Sequence, residues 1–265
     1  MNLIDYHTHT ELCGHASGTI DEYVIEAIKK NLKEIGFSDH APLPEGKREG
    51  ITMLPEETEK YIELVESKIE QYKDKIEVKV GFEIDFPLMD SFDRKYLTDA
   101  RLDYLIGSCH FLGDWAFDHP DNIHEFSKRD IDRIYSEYYG IMHDLINTGY
   151  FNIIGHFDIV KKFGHRARRD FTNQLEKLAQ HIAKQKNLAV EINTAGIRKP
   201  VQEMYPSDDV IRIFYNANAP ITLGSDSHKP EEVGYLFDKA VEKAKKAGYR
   251  KVSGFSKRIR YDIAL

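Results

Sequence analysis

The stretch DYHTHT, residues 5–10, follows the apolar pair Leu3 and Ile4. Such a start predicts a short buried strand over Leu3–His9. Alternate side chains of a strand point the same way, so His7 and His9 project together from one face, with Asp5 behind them. Two neighbouring imidazoles gain little by packing on each other. Their pairing makes chemical sense where a metal ion accepts two nitrogen lone pairs. In a chain with 12 histidines a His-x-His pair also arises by chance, so the decision falls to the rest of the sequence.

Working outward, short apolar runs alternate with amphipathic stretches. Strands are expected at Leu3–His9, Glu34–Ser38, Glu77–Ile84, Tyr104–His110, Asn152–His156, Leu188–Asn193 and Ile221–Ser225. Between them, apolar residues three and four apart predict helices over about Pro55–Tyr72, Lys128–Thr148, Phe171–Lys186, Ser207–Ala217 and Glu231–Ala247. The first helix begins at Thr19, where Glu22 three residues on completes a capping-box pattern, and carries the stripe Ile20, Val24, Ala27, Ile28. Asn147-Thr148-Gly149 and Ala247-Gly248 read as helix ends.

Repeated β-then-α order implies parallel strands with right-handed crossovers. An open doubly wound sheet and a closed barrel both satisfy it. The unusual residues favour the barrel. His7 and His9, Asp39 and His40, Glu83, His110, His156, and Asp226 and His228 all fall at C-terminal strand ends, the face where a β/α barrel carries its active site. An open sheet would spread these ends along a line, whereas a barrel gathers them round one mouth. The expected fold is therefore α/β, a TIM-barrel-like (β/α)7 barrel with a metal site at the C-terminal ends of its strands.

The stretches CGHASG, GFSDHAPL, VGFEIDF, LIGSCHF, IIGHFD and TLGSDSHKP then read together. They add His15, His40, Glu83, His110, His156, Asp226 and His228 to His7 and His9. Seven imidazoles and two carboxylates exceed what one tetrahedral ion uses, so two or three divalent ions are expected. Nitrogen-rich ligation favours Zn, Mn or Fe over Mg or Ca. Asp39 reads as a partner orienting an imidazole or as a turn residue. Cys109, turned away from His110 by strand alternation, reads as core; Cys13 lies close enough to be a candidate ligand. His143 and His181 fall within helices and read as ordinary surface or packing residues, and the loop histidines His119, His124 and His165 receive no role.

The totals limit the partners. The 265 residues carry 41% hydrophobic and 31% charged side chains and a net charge of −7. An acidic balance disfavours nucleic acid, which calls for a basic surface. No apolar run approaches the roughly 18 residues of a membrane span, and the first residues lack the pattern of a signal peptide. Two cysteines make no disulfide framework, which points to a reducing, cytoplasmic setting.

With these motifs in hand, the sequence resembles the PHP (polymerase and histidinol phosphatase) family. The resemblance runs the whole length. It rests on H-x-H at 7–9, His15, S-D-H at 38–40, Glu83, His110, His156 and D-x-H at 226–228. Within the family, GSCHFLGDWAFDHP at 107–120 and EINTAGIRKP at 191–200 are most similar to the monofunctional histidinol-phosphate phosphatases. The resemblance implies a single distorted seven-stranded barrel over 1–265 and a cluster of up to three metals. His7, His9, Glu83 and Asp226 would hold the first, Glu83 with His110 and His156 the second, and His15, His40 and His228 the third. Some relatives have aspartate where His15 stands. The implied reaction is hydrolysis of L-histidinol phosphate to L-histidinol and phosphate, in histidine biosynthesis, by a metal-bridging hydroxide and without a phosphoenzyme. Glu83, Asp226 and His228 are the catalytic candidates. Arg198 is the expected phosphate clamp, because a planar fork suits phosphate oxygens, with Lys199 behind it. Trp115 and Phe117 would cover an imidazole ring of the substrate, and Asp118 would pair with its amine. A phosphoesterase of other specificity (a broad phosphomonoesterase, a protein-tyrosine phosphatase or a nuclease) and an inactive metal-stabilised binding module stand as alternatives. Oligomeric state is open.

Overall fold

In the computed structural model, which describes residues 3–265, seven parallel strands form one sheet. They are β1 (Leu3–Asp5), β2 (Leu32–Phe37), β3 (Glu77–Asp85), β4 (Tyr104–Ser108), β7 (Ile153–Ile154), β8 (Ala189–Asn193) and β9 (Ile221–Gly224), paired in that order. Two short strands, β5 (Phe111–Leu112) and β6 (Trp115–Ala116), make an antiparallel hairpin after β4. Between β1 and β9 the chain all but closes the barrel: the Tyr6 amide donates to the Leu223 carbonyl at 3.4 Å, and Thr8 forms an isolated parallel bridge with Ser227. Regular pairing is thus shorter than expected at the site ends. β1 stops at Asp5, and His7 and His9 continue in register through the amides that Ser227 and His9 donate across the seam, Ser227 N to His7 O at 3.2 Å and His9 N to Ser227 O at 3.0 Å.

Helices α1 (Ile20–Lys29), α2 (Thr58–Tyr72), α3 (Ile131–Asn147), α4 (Thr172–Lys184), α5 (Asp208–Asn216) and α6 (Phe237–Ala247) surround the sheet. Thr19 caps α1 with the reciprocal Glu22 bonds that its sequence predicts: the Thr19 amide donates to Glu22 Oε2 at 2.7 Å, and the Glu22 amide to Thr19 Oγ1 at 3.3 Å. Gly248 closes α6 with φ +120°, a backbone state a Cβ would strain. The last helix starts later than its periodicity suggests. Residues 233–236 are held as a turn because the Gly234 amide donates to buried Asp5 at 2.8 Å, and helix resumes only at Phe237.

The barrel strands are buried on both faces, as a parallel sheet covered by helices must be. Tyr104 crosses the interior above Gly36 and Gly81, where a Cβ would come within 2.4 and 2.6 Å of its ring atoms. Its hydroxyl donates to the Tyr6 carbonyl at 2.7 Å. Below it, a C-terminal hairpin of β10 (Lys251–Ser256) and β11 (Ile259–Ala264) caps the N-terminal end of the barrel. The Phe255 amide donates to Tyr6 Oη at 3.1 Å, and the hydroxyls of Tyr6 and Tyr261 both donate to fully buried Glu34. Among the described residues no helix is long and apolar enough to cross a membrane.

Candidate metal centre

At the other end of the barrel the strand ends converge on a cavity of approximately 680 Å³. Glu83, third from the end of β3's nine residues and wholly buried, stands at its floor. Its Oε1 lies 2.8 Å from His156 Nε2 and 3.7 Å from His110 Nε2; its Oε2 lies 3.1 Å from His7 Nε2, 3.5 Å from His9 Nε2 and 3.1 Å from His40 Nδ1. Five imidazoles from four strand ends therefore surround one carboxylate. Asp226, beyond β9, places Oδ1 at 3.4 Å from His9 Nε2 and 3.9 Å from His7 Nε2. His228 stacks on His9 with ring centroids 4.2 Å apart, and His15 lies 4.6 Å from His228.

Donor atoms group into several sets whose members lie within 4.8 Å of one another: His7, His9 and Asp226; His7, Glu83 and His156; His9, His40 and Glu83; and His15, His40 and His228. Cys13 joins His9 and His228 in a further set. Eight of the nine expected ligands fall in these sets, and the ninth, His110, places Nε2 3.1 Å from His156 Nε2 and 3.7 Å from Glu83 Oε1 at the same mouth. The buried Nε2 atoms of His7, His9 and His228 have no hydrogen-bond partner in the protein, a costly arrangement unless another species takes the lone pairs. Burial, reinforced by neighbouring imidazoles, holds His9 and His228 down to about 3, so both are neutral donors. Glu83 and Asp226 stay ionised against burial because imidazoles surround them. At His9 and His228, neutral nitrogens beside ionised carboxylates meet what a divalent cation requires.

Further carboxylates fix the imidazoles from behind. Asp85 accepts at 3.0 Å from His110 Nδ1 and from the His110 amide. Burial alone would lower the His110 imidazole; Asp85 and Asp118 raise it to about 10. Glu191 lies 2.7 Å from His7 Nδ1. Neither Asp85 nor Glu191 was expected from the sequence, although Glu191 opens the EINTAGIRKP stretch. Asp39 faces His9 Nδ1 at 3.8 Å, too far for a hydrogen bond, and instead accepts from the amide and hydroxyl of Thr10, which shapes the loop after β1. Cys13 and Cys109 are buried, and burial pushes the Cys13 thiol up to about 12.

The substrate-side candidates divide. Arg198, Lys199 and Asp118 line the cavity. Arg198 Nη2 donates to the carbonyls of Ser225 and Asp226 at 2.9 and 3.0 Å, leaving buried Nη1 without a partner. Asp118 accepts from Lys162 at 2.9 Å, and against burial this neighbour holds it at about 2. Trp115 and Phe117 do not reach the cavity. The tight β5–β6 hairpin turns Phe111 and Ala116 toward it and sends Trp115 into the core, against Phe126 and beneath the Arg129 guanidinium; Phe117 packs on Tyr138. His119 lines the cavity wall, whereas His165 stacks on Phe126 and His124 is exposed. His143 and His181 stack on each other between α3 and α4.

The PHP domain model matches residues 5–195. The chain belongs to the PHP family. This PHP protein is 38% identical over 252 residues to a Deinococcus radiodurans protein named "Probable histidinol-phosphatase", with 95% of this chain and 96% of that one covered. It is 29% identical over 263 residues to the histidinol-phosphatase of Lactococcus lactis subsp. lactis, covering 97% and 95%. A crystal structure of the histidinol phosphate phosphatase from Lactococcus lactis, complexed with zinc, L-histidinol and phosphate, superposes with a TM-score of 0.81 at 24% identity, covering 98% of this chain and 99% of that one. The PHP chain therefore shares that protein's barrel fold throughout.

Proposed function

We propose that this chain is a metal-dependent phosphoric monoester hydrolase, a histidinol-phosphatase that converts L-histidinol phosphate to L-histidinol and phosphate. The observation that carries the metal-dependent chemistry is the convergence of nine ligand-type side chains on one cavity with three buried imidazole nitrogens otherwise unpartnered. Similarity along nearly the whole chain to histidinol-phosphatases supports the choice of substrate.

Two to three divalent ions fit the donor set. His7, His9 and Asp226 with Glu83 would hold one, Glu83 with His110 and His156 a second, and His15, His40 and His228 a third. Zinc, manganese and iron all suit this mixture of nitrogen and oxygen donors. Such ions supply Lewis acidity toward phosphoryl oxygens and make water acidic enough to attack phosphorus near neutral pH.

The chain's own residues do the rest. Glu83, with both oxygens engaged, keeps neighbouring subsites in fixed relation. Arg198 uses Nη2 to hold the loop bearing Asp226 and offers Nη1 to a phosphate oxygen. Lys162 and Lys199 add positive charge to the wall, and Asp118 stays ionised beside them. With divalent ions bound, the floor would be cationic and attract a phosphate monoester, which carries about −1.5 to −2 charge near pH 7, despite the acidic protein around it. The buried side chains at the base of the cavity interact more strongly than they would in water.

Turnover with a panel of phosphate esters, run on chelated protein resupplied with Zn, Mn or Fe, tests the proposal. L-Histidinol phosphate is expected to give the highest kcat/KM. Equal or better turnover of aryl phosphates, phosphotyrosyl peptides or nucleotides would assign another specificity, and no turnover with any ester and any metal would sink the enzymatic reading.

A further inference from the structure

We propose that Glu191 is the positioning residue that sets the tautomer of His7, and so decides whether His7 can serve as a ligand. The inference rests on the metal-dependent reading above. Glu191 lies on β8, inside the barrel and buried beneath the imidazoles. Its Oε1 sits 2.7 Å from His7 Nδ1. Its Oε2 accepts from the His156 amide at 2.7 Å and from Asn193 Nδ2 at 2.9 Å. One carboxylate thus faces three donors on three different strand ends.

Hydrogen-bond inventory makes this placement selective. An ionised carboxylate only accepts. In a neutral His7, the nitrogen facing it therefore carries the proton, which leaves the lone pair on Nε2, toward Glu83 and Asp226. The other oxygen, Oε2, holds the backbone of His156, whose φ of +21° is unusual for a residue with a Cβ. Room for the carboxylate comes from Gly224 on β9, where a Cβ would stand 1.7 Å from Glu191 Oε1. Any other residue at 224 would evict the group that orients His7.

The isosteric change Glu191→Gln separates this role from packing. A glutamine has one accepting oxygen and one donating nitrogen. If its oxygen satisfies the His156 and Asn193 donors, its NH2 faces His7 Nδ1. His7 must then accept there and carry its proton on Nε2, where the metal should bind. The opposite orientation sets an NH2 against two N–H donors and is penalised. Shape and volume are preserved in both.

Two readouts on the full chain test the proposal. Chelator competition with zinc is expected to show one class of ion weakened by roughly 10- to 100-fold in Glu191→Gln, the range typical of an outer partner of a ligand, while ions held by His15, His40 and His228 keep their affinity. Long-range ¹H–¹⁵N spectra of the zinc-loaded parent are expected to show His7 protonated at Nδ1, a pattern lost in the variant. Unchanged zinc affinity for every class in a folded Glu191→Gln protein would overturn the proposal. So would a parent His7 protonated at Nε2, a measurement that needs no variant. A parent that binds no zinc would overturn the metal-dependent reading and this inference together, so the two failures are distinguishable.

Discussion

Glu83 meets five imidazoles within 3.7 Å, whereas His15 lies on the exposed rim beside His40 and His228. Glu83→Ala is therefore expected to lower kcat/KM well beyond the roughly 10- to 100-fold loss typical of an outer partner, and to reduce metal content, while His15→Ala is expected to do less on both counts. Near-parental turnover by a folded, metal-loaded Glu83→Ala protein would remove its central role. On the proposed phosphate role, Arg198→Ala would remove a charge-assisted contact worth roughly 1.5–3 kcal/mol, about tenfold to a hundredfold in binding. Weaker phosphate inhibition and a higher KM are expected, together with a looser Asp226 loop, because Nη2 also anchors that backbone. Arg198→Lys should restore only part of this, since a point charge does not reproduce the fork; unchanged phosphate inhibition in Arg198→Ala would turn attention to Lys199 and Lys162. Trp115→Phe should lower thermal stability but leave KM unchanged, because the indole packs in the core rather than against substrate. A raised KM in that variant would contradict its burial. At this scale the convergence of the strand-end side chains was legible, since histidine at the end of an apolar run is conspicuous. The wall was less so. Asp85 and Glu191 are acidic residues inside strands whose roles depend on which imidazole lies across the barrel, a relation that no local pattern carries. Trp115 was misplaced because a hairpin of two-residue strands decides its direction.

At the level of elements, the seven strands and six helices follow from periodicity, with ends shifted by a few residues. The C-terminal hairpin did not. Lys251, Ser253, Ser256, Arg258 and Arg260 break up its apolar positions, and its reason to pair lies in distant partners, Tyr6 on the β1 side and Glu34 on β2. Its contribution is measurable. Tyr261→Phe removes a hydroxyl that donates to a buried carboxylate at 2.6 Å, and a loss of about 1.5 kcal/mol in unfolding free energy is expected, read by denaturant titration. Because the change lies at the opposite end of the barrel from the cavity, kcat should hold. Stability equal to the parent would show that the Glu34 network does not depend on this contact.

For the whole molecule, bound ions add their binding free energy to the folded state, so chelation should lower the melting temperature and metal resupply should restore it. Elemental analysis of the purified chain is expected to find more than one metal per molecule; well under one, unrecoverable on adding metal, would refute a multinuclear centre. The sparse pairing between β1 and β9 gives those ions a second task. His7 and His9 come from one side of that seam and Asp226 and His228 from the other. Where the backbone ladder is thinnest, coordination would rivet the cylinder shut, making cofactor and closure parts of the same joint. Hydrogen exchange can locate the joint: after chelation, amides at residues 6–9 and 225–228 should lose protection sooner than those of β3 and β4, each of which pairs in regular register with a neighbour on either side.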